Sequence, residues 1–187
     1  MHCFAGSTLD PDTMYLHEAL REPDHKQFLS AMRKEVKDQM LNGNWEIVKA
    51  STAPEGATIL PTVWAMKQKQ RIQMNEVYKW KARLNMDGLR MTKGKDYQET
   101  YSLVISWPIV RLILTMVILK DWYTCQIDYV LAYSQVPAER EHIYMKLPKG
   151  FTVRNGVASD YLLHIKKNIY GGKAAGRIWY LFLRKHL

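Results

Sequence analysis

From Tyr78 to Asn85 the chain alternates without a break, Tyr78, Trp80, Ala82 and Leu84 on one phase and Lys79, Lys81, Arg83 and Asn85 on the other. A β-strand sends successive side chains to opposite faces, so this run predicts a half-buried strand with one apolar and one cationic face. Upstream, Lys67, Lys69 and Arg71 also recur at every second position. The polar segment Gln73 to Glu76 can turn the chain back, which makes the two runs a hairpin whose charges share a face. Such a face either meets a polyanion or only keeps a sheet edge soluble, and the alternation alone leaves both open.

The remaining chain interleaves helix and strand patterns. A helix is expected from Asp24, which can cap it with Gln27 three residues on, and Phe28, Met32, Val36 and Met40 recur every fourth residue until Asn42-Gly43-Asn44 stops it. A short strand, Trp45 to Val48, and a Pro- and Gly-containing loop, Ser51 to Gly56, follow. Asp87 to Tyr97 reads as an exposed loop, and Pro108 opens an apolar stretch to Leu119 that reads as a buried helix. Tyr123 to Tyr129 alternates as a strand that places Asp128 near its C-terminal end. Two more strand-like runs, Ile143 to Leu147 and Tyr161 to Ile165, flank the turn region Pro148 to Asp160, and a helix starts at Ala174. Short turns between strand pairs favour an α+β fold with an antiparallel sheet over a doubly wound one.

A net charge of +9 points toward a polyanionic partner without naming it. Cys3 and Cys125 are too few for a disulfide framework or a thiolate zinc site, and none of the six histidines pairs with another at ligand spacing. The longest apolar run, Ile109 to Leu119, is broken by Arg111 and too short to span a bilayer, and the N-terminus lacks a secretory pattern. An intracellular protein with no membrane partner is expected.

The sharpest local feature is Gln126-Ile127-Asp128-Tyr129-Val130-Leu131-Ala132-Tyr133, a carboxylate ending an apolar strand with an aromatic five residues on. An acid so placed can ligate a metal, as nucleotidyl transfer requires; it can equally cap the following turn.

In order, the strings Trp45-Glu46-Ile47-Val48, Trp64-Ala65-Met66-Lys67, Tyr78 to Leu84, Gly94-Lys95-Asp96-Tyr97-Gln98-Glu99-Thr100-Tyr101, Gln126 to Tyr133, Ile143 to Phe151 and Asn168 to Tyr180 resemble the reverse transcriptase of copia-type retrotransposons. The resemblance runs from about Leu16 to Leu187, leaving residues 1–15 as an N-terminal extension. It implies right-hand polymerase fingers and a partial palm with an antiparallel sheet. Asp128 would be the first catalytic and metal-ligating aspartate for Mg2+, and Tyr133 the gate that selects deoxynucleotides. Lys81, Arg83, Lys173 and Arg177 would approach the deoxynucleoside triphosphate or an RNA or DNA template-primer duplex. The segment Tyr170 to Arg177 would lie beneath the templating pair, with close backbone approach at Gly171-Gly172.

The chain also departs from the family. Tyr170-Gly171-Gly172-Lys173-Ala174-Ala175 stands where copia-type enzymes usually have Tyr-Gly-Leu-Lys-Gln-Ala, and Ser134 where Leu or Pro is common. The second carboxylate motif, Tyr-x-Asp-Asp, is expected some tens of residues beyond Tyr180, and no Asp-Asp pair occurs in the sequence. The expectation is a fragment truncated before that motif, inactive as a polymerase in this form, with a non-catalytic nucleic-acid-binding remnant and a decayed, non-functional copy as the alternatives. Oligomeric state is not legible.

Overall fold

The computed structural model describes residues 13–71, 76–153 and 156–187. The expected hairpin is present: strand β4, Thr62–Gln70, pairs antiparallel with β5, Val77–Met86. Of its turn only Glu76 falls within the described residues, and Glu76 accepts the Arg71 N–H at 3.0 Å through its backbone carbonyl. A short strand β1, Thr13–Tyr15, extends this sheet on the β4 side, so the last residues of the expected N-terminal extension belong to the fold, while residues 1–12 lie outside the described chain. A four-residue helix α1, Leu16–Ala19, follows.

Helix α2, His25–Leu41, lays Phe28 and Met32 on the apolar face of the hairpin, where Trp64, Met66, Ala82 and Leu84 are buried with them. Fully burying a side chain such as Phe28 or Leu84 contributes about 2 kcal/mol, and this stripe holds α2 to the sheet. The Asp24 cap is corrected. Its carboxylate makes no bond to the helix start and instead accepts from Gln68 Nε2 at 2.9 Å and from the Trp80 indole. The first amides of α2 can reach water, whereas a half-buried indole left without an acceptor costs about 1–3 kcal/mol, so the sheet takes the carboxylate.

The second sheet has the order β2-β7-β6-β3, from β2 Trp45–Lys49, β3 Thr58–Leu60, β6 Ile143–Lys146 and β7 Tyr161–Ile165. Three of the expected runs thus become neighbouring antiparallel strands. The parallel β3–β6 pair was not legible, because β3 has only three residues. Trp45, Leu60, Met145, Leu163 and Ile169 form its core with Met86, and Val36 of α2 touches both cores. The joint is polar as well: Gln39, buried, donates to Glu35 at 2.7 Å and accepts the Trp45 indole N–H at 2.8 Å.

Three expectations fail here. The Asp87–Tyr97 loop is not wholly exposed: Gly88 and Asp96 are buried, because this loop closes over the edge of β3. Helix α3, Trp107–Lys120, forms where Pro108 predicts it, yet none of its residues is buried. An apolar helix is buried only where other elements surround it, and the described residues place none around α3. Tyr123 to Tyr129 is an exposed segment that pairs with no strand among the described residues, so alternation there does not become a strand. Helix α4, Ala175–His186, closes the chain.

Candidate functional site

The register of the hairpin sets Lys67 opposite Lys81, Lys69 opposite Lys79 and Ala65 opposite Arg83, all on the face away from α2. Like charges directly across a strand pair repel, and an anion placed over this face would offset that repulsion. Burial lowers the Lys81 pKa below the ordinary lysine value, and neighbouring Arg83, Lys69 and Lys79 lower it further, against a smaller opposing pull from Glu35. A lysine in that state gains charge stabilisation when a phosphate arrives.

At the inner end of β5 the chain folds back against residues 168–177. Met86 N–H donates to Tyr170 O at 2.9 Å. Gly171, at φ +90°, would bring a Cβ to 2.0 Å from Met86 O, and a Cβ on Gly88 would stand 1.9 Å from Gly171 O. The close approach at Gly171 is to the backbone of Met86 and Gly88, and Gly172 has ordinary space. This crossing aims the Tyr170 ring at β5. The Arg83 guanidinium lies 4.6 Å from its centre, and Tyr133 meets the same ring edge-on at 5.3 Å. Tyr133 sits in a single 3-10 turn, Ala132–Gln135, pinned by buried Ser134, whose hydroxyl accepts from Asn44 at 3.3 Å.

Arg83, Tyr133 and Tyr170 are thus brought together from three separated stretches. Lys81 lies two residues along β5 on the same face as Arg83. The other expected residues are placed differently. Arg177 is engaged by Glu99 at 3.0 Å and by Tyr101 O at 3.2 Å, so its guanidinium holds the 99–101 segment. Lys173 is half-buried, and its backbone N–H donates to Met91 Sδ at 3.4 Å. Asp128 is exposed; its neighbour Tyr129 packs edge-on against Trp179 of α4 at 5.2 Å, which ties the segment to the helix following Tyr170. Among the described residues no group of three or more His, Cys, Asp or Glu could hold a metal ion. A two-ion Mg2+ site needs several converging carboxylates, so the residues described here do not fit that pair of ions by themselves.

Two contributors escaped the sequence reading as site residues. Tyr170 carried a signal in the Tyr-Gly string, but its role as the ring between Arg83 and Tyr133 depends on the Gly171 crossing. Asp96 stood in the Gly94 to Tyr101 string, but its burial carried no local signal: it accepts from Thr58 Oγ1 at 2.6 Å, from Thr92 N–H at 2.7 Å and from His142 Nε2 at 3.2 Å. No helix of the described residues is long and apolar enough to cross a membrane.

Residues 42–187 match the sequence pattern of the family described as reverse transcriptase (RNA-dependent DNA polymerase). The chain is 31% identical over 172 residues to the "Retrovirus-related Pol polyprotein from transposon TNT 1-94" of Nicotiana tabacum, covering 92% of this chain and 12% of that polyprotein. It is 31% identical over 169 residues to the corresponding polyprotein from transposon RE2 of Arabidopsis thaliana, covering 90% of this chain and 11% of the relative. The match to that from transposon RE1 of the same plant is 30% identical over 169 residues, with the same coverage of 90% and 11%. The chain therefore spans about one-eighth or less of the length of these relatives. No solved structure matches the chain significantly. With a family match over most of its length and relatives that are Pol polyproteins of copia-type transposons, the chain belongs to the reverse transcriptase (RNA-dependent DNA polymerase) family.

Proposed function

We propose that this chain is the fingers and the front of the palm of a retrotransposon RNA-directed DNA polymerase, and that it binds a template-primer duplex and the triphosphate of an incoming deoxynucleotide. The observation that carries the reading is the convergence of Arg83, Tyr170 and Tyr133 beside the opposed lysines of β4 and β5. That arrangement offers a flat aromatic surface next to fixed positive charge, which suits a sugar and its phosphates. In this role Lys81 and Arg83 neutralise phosphate, Tyr133 stands where a 2′ hydroxyl would collide, and Tyr170 holds Arg83 in position. Lys173 approaches the template through its free ammonium, and Arg177 orders the 99–101 segment against α4. Asp128 would be the first of the carboxylates that hold Mg2+, the others lying outside the described residues, and the ion would supply charge neutralisation during deoxynucleotidyl transfer. The described residues alone are inactive as a polymerase, because the further carboxylates are not among them.

The test is binding before catalysis. Fluorescence anisotropy with an RNA–DNA template-primer should show affinity that falls with salt, and Lys79→Ala with Lys81→Ala should each reduce the salt slope by about 1. Asp128→Asn should leave duplex affinity unchanged. Primer extension on the chain lengthened to include a Tyr-x-Asp-Asp motif should appear and be abolished by Asp128→Asn. Extension by the 187-residue chain itself would overturn the assignment of the metal ligands. Binding that ignores salt and the lysine substitutions would favour a decayed copy, for which the departures at Gly172 and Ala174 are the supporting observation.

A further inference from the structure

On the apolar side of the hairpin, away from the opposed lysines, α2 and the loop Lys149–Thr152 enclose an open cleft of about 670 Å³. It is lined by Leu29, Met32, Val36 and Met40 of α2 together with Trp64 and Phe151. Met32 and Trp64 are buried at its base, and the Trp64 indole N–H donates to Lys149 O at 3.2 Å, which joins base to far wall. The volume falls in the range of small-molecule sites, ~300–1,000 Å³. Its shape is elongated, because the α2 lining from Leu29 to Leu41 extends about 18 Å at 1.5 Å per residue.

The charge around this cleft has one sign. Arg33, Lys37 and Lys149 contribute to the lining, and no acidic residue does. The acids of α2 in this stretch are committed elsewhere: Asp38 pairs with Lys34 at 2.5 Å, and Glu35 accepts from Gln39 at 2.7 Å and from Leu84 N–H at 3.3 Å. Arg33 and Lys37 are therefore like charges one helical turn apart with no acid beside them on that lining, an arrangement that is unfavourable until an anion arrives. The two lining methionines, Met32 and Met40, can adjust their shape to an apolar body laid between the walls.

We propose that this cleft is a binding site for an elongated amphipathic monoanion, an apolar ring or chain lying along α2 with one carboxylate or sulfonate held by the cations of the rim. The site is separate from the cationic face of β4 and β5 and stands whether or not that face binds duplex.

The test compares two probes with the same apolar body, 1-anilinonaphthalene-8-sulfonate and the uncharged N-phenyl-1-naphthylamine, titrated by fluorescence against the full chain. The sulfonate should bind about tenfold more tightly, the difference that one charge-assisted contact of ~1.4 kcal/mol supplies. Replacing all three lining cations, Arg33→Gln with Lys37→Gln and Lys149→Gln, should remove that preference while affinity for the uncharged probe is retained, which also shows that the variant folds. Decanoate should displace the sulfonate, and decyltrimethylammonium should not. Because α3 also exposes apolar side chains, a control variant carrying Leu112→Glu and Ile118→Glu should keep the sulfonate preference. Equal affinity for the two probes, a preference unchanged by the rim substitutions, or a preference lost in the α3 variant would each overturn the proposal.

Discussion

The guanidinium of Arg83 lies over the ring of Tyr170, 4.6 Å from its centre, although the two residues stand 87 positions apart in the chain. Arg83 is exposed, so the ring orders a side chain that would otherwise sample many rotamers. Replacing Arg83 with Lys keeps the charge but loses the flat contact. Chemical denaturation of Arg83→Lys, Tyr170→Leu and the double variant should give a coupling of about 0.5–1 kcal/mol. Additive effects would mean that the contact does not order Arg83.

Lys81 makes the cationic face sensitive to pH. Its pKa is lowered by burial and then by Arg83, Lys69 and Lys79, so it releases its proton before an ordinary lysine as pH rises. The sign for stability follows: charge repulsion in the folded state is present below the lowered pKa and is relieved as pH rises through it. The sign for binding is opposite, since a phosphate prefers the protonated amine. Duplex affinity at constant salt should weaken as pH climbs toward the lysine range, and Lys81→Ala should flatten that dependence. An equally steep profile in Lys81→Ala would place the titrating group elsewhere.

The crossing of Gly88 and Gly171 tolerates no side chain. A Cβ at either position meets a carbonyl oxygen at 1.9 Å or 2.0 Å, and Gly171 has a positive φ as well. Gly171→Ala and Gly88→Ala should each cost on the order of 2–4 kcal/mol, measurable as a lowered denaturation midpoint. Gly172→Ala, with ordinary van der Waals distances around its Cβ, should cost far less. Equal losses at Gly171 and Gly172 would contradict this geometry.

Asp96 gives the fold an acid limit. Burial pushes its carboxyl up, but hydrogen bonds from Thr58, Thr92 and His142 and the charge of Lys95 pull harder, and the net pKa lies below the usual aspartate value. A depressed folded pKa contributes stability that is present above the unfolded pKa and lost as pH falls through the folded one. Stability should therefore decline below about pH 4, and Asp96→Asn should remove part of that decline. Asp96→Ala should cost about 1–3 kcal/mol at neutral pH, because the half-buried Thr58 and His142 and the Thr92 N–H lose their shared acceptor.

What could be read from the sequence alone was whatever depends on local periodicity. Alternation over Tyr78–Asn85 determined a strand with a cationic face, fourfold spacing at Phe28 and Met32 determined the packed face of α2, and ordered motifs determined the family. The same local rules misjudged Tyr123–Tyr129, because alternation is necessary for a strand while pairing needs a neighbour that only the tertiary arrangement supplies. They misjudged the burial of α3, since hydrophobicity states what a helix prefers and not what surrounds it. They placed Asp24 on a helix cap, when the choice between cap and indole depends on which donor is farther from water. Only the tertiary structure decided that Arg83, Tyr170 and Tyr133 meet, because a backbone crossing between two distant glycines, invisible to any periodicity, sets their distance.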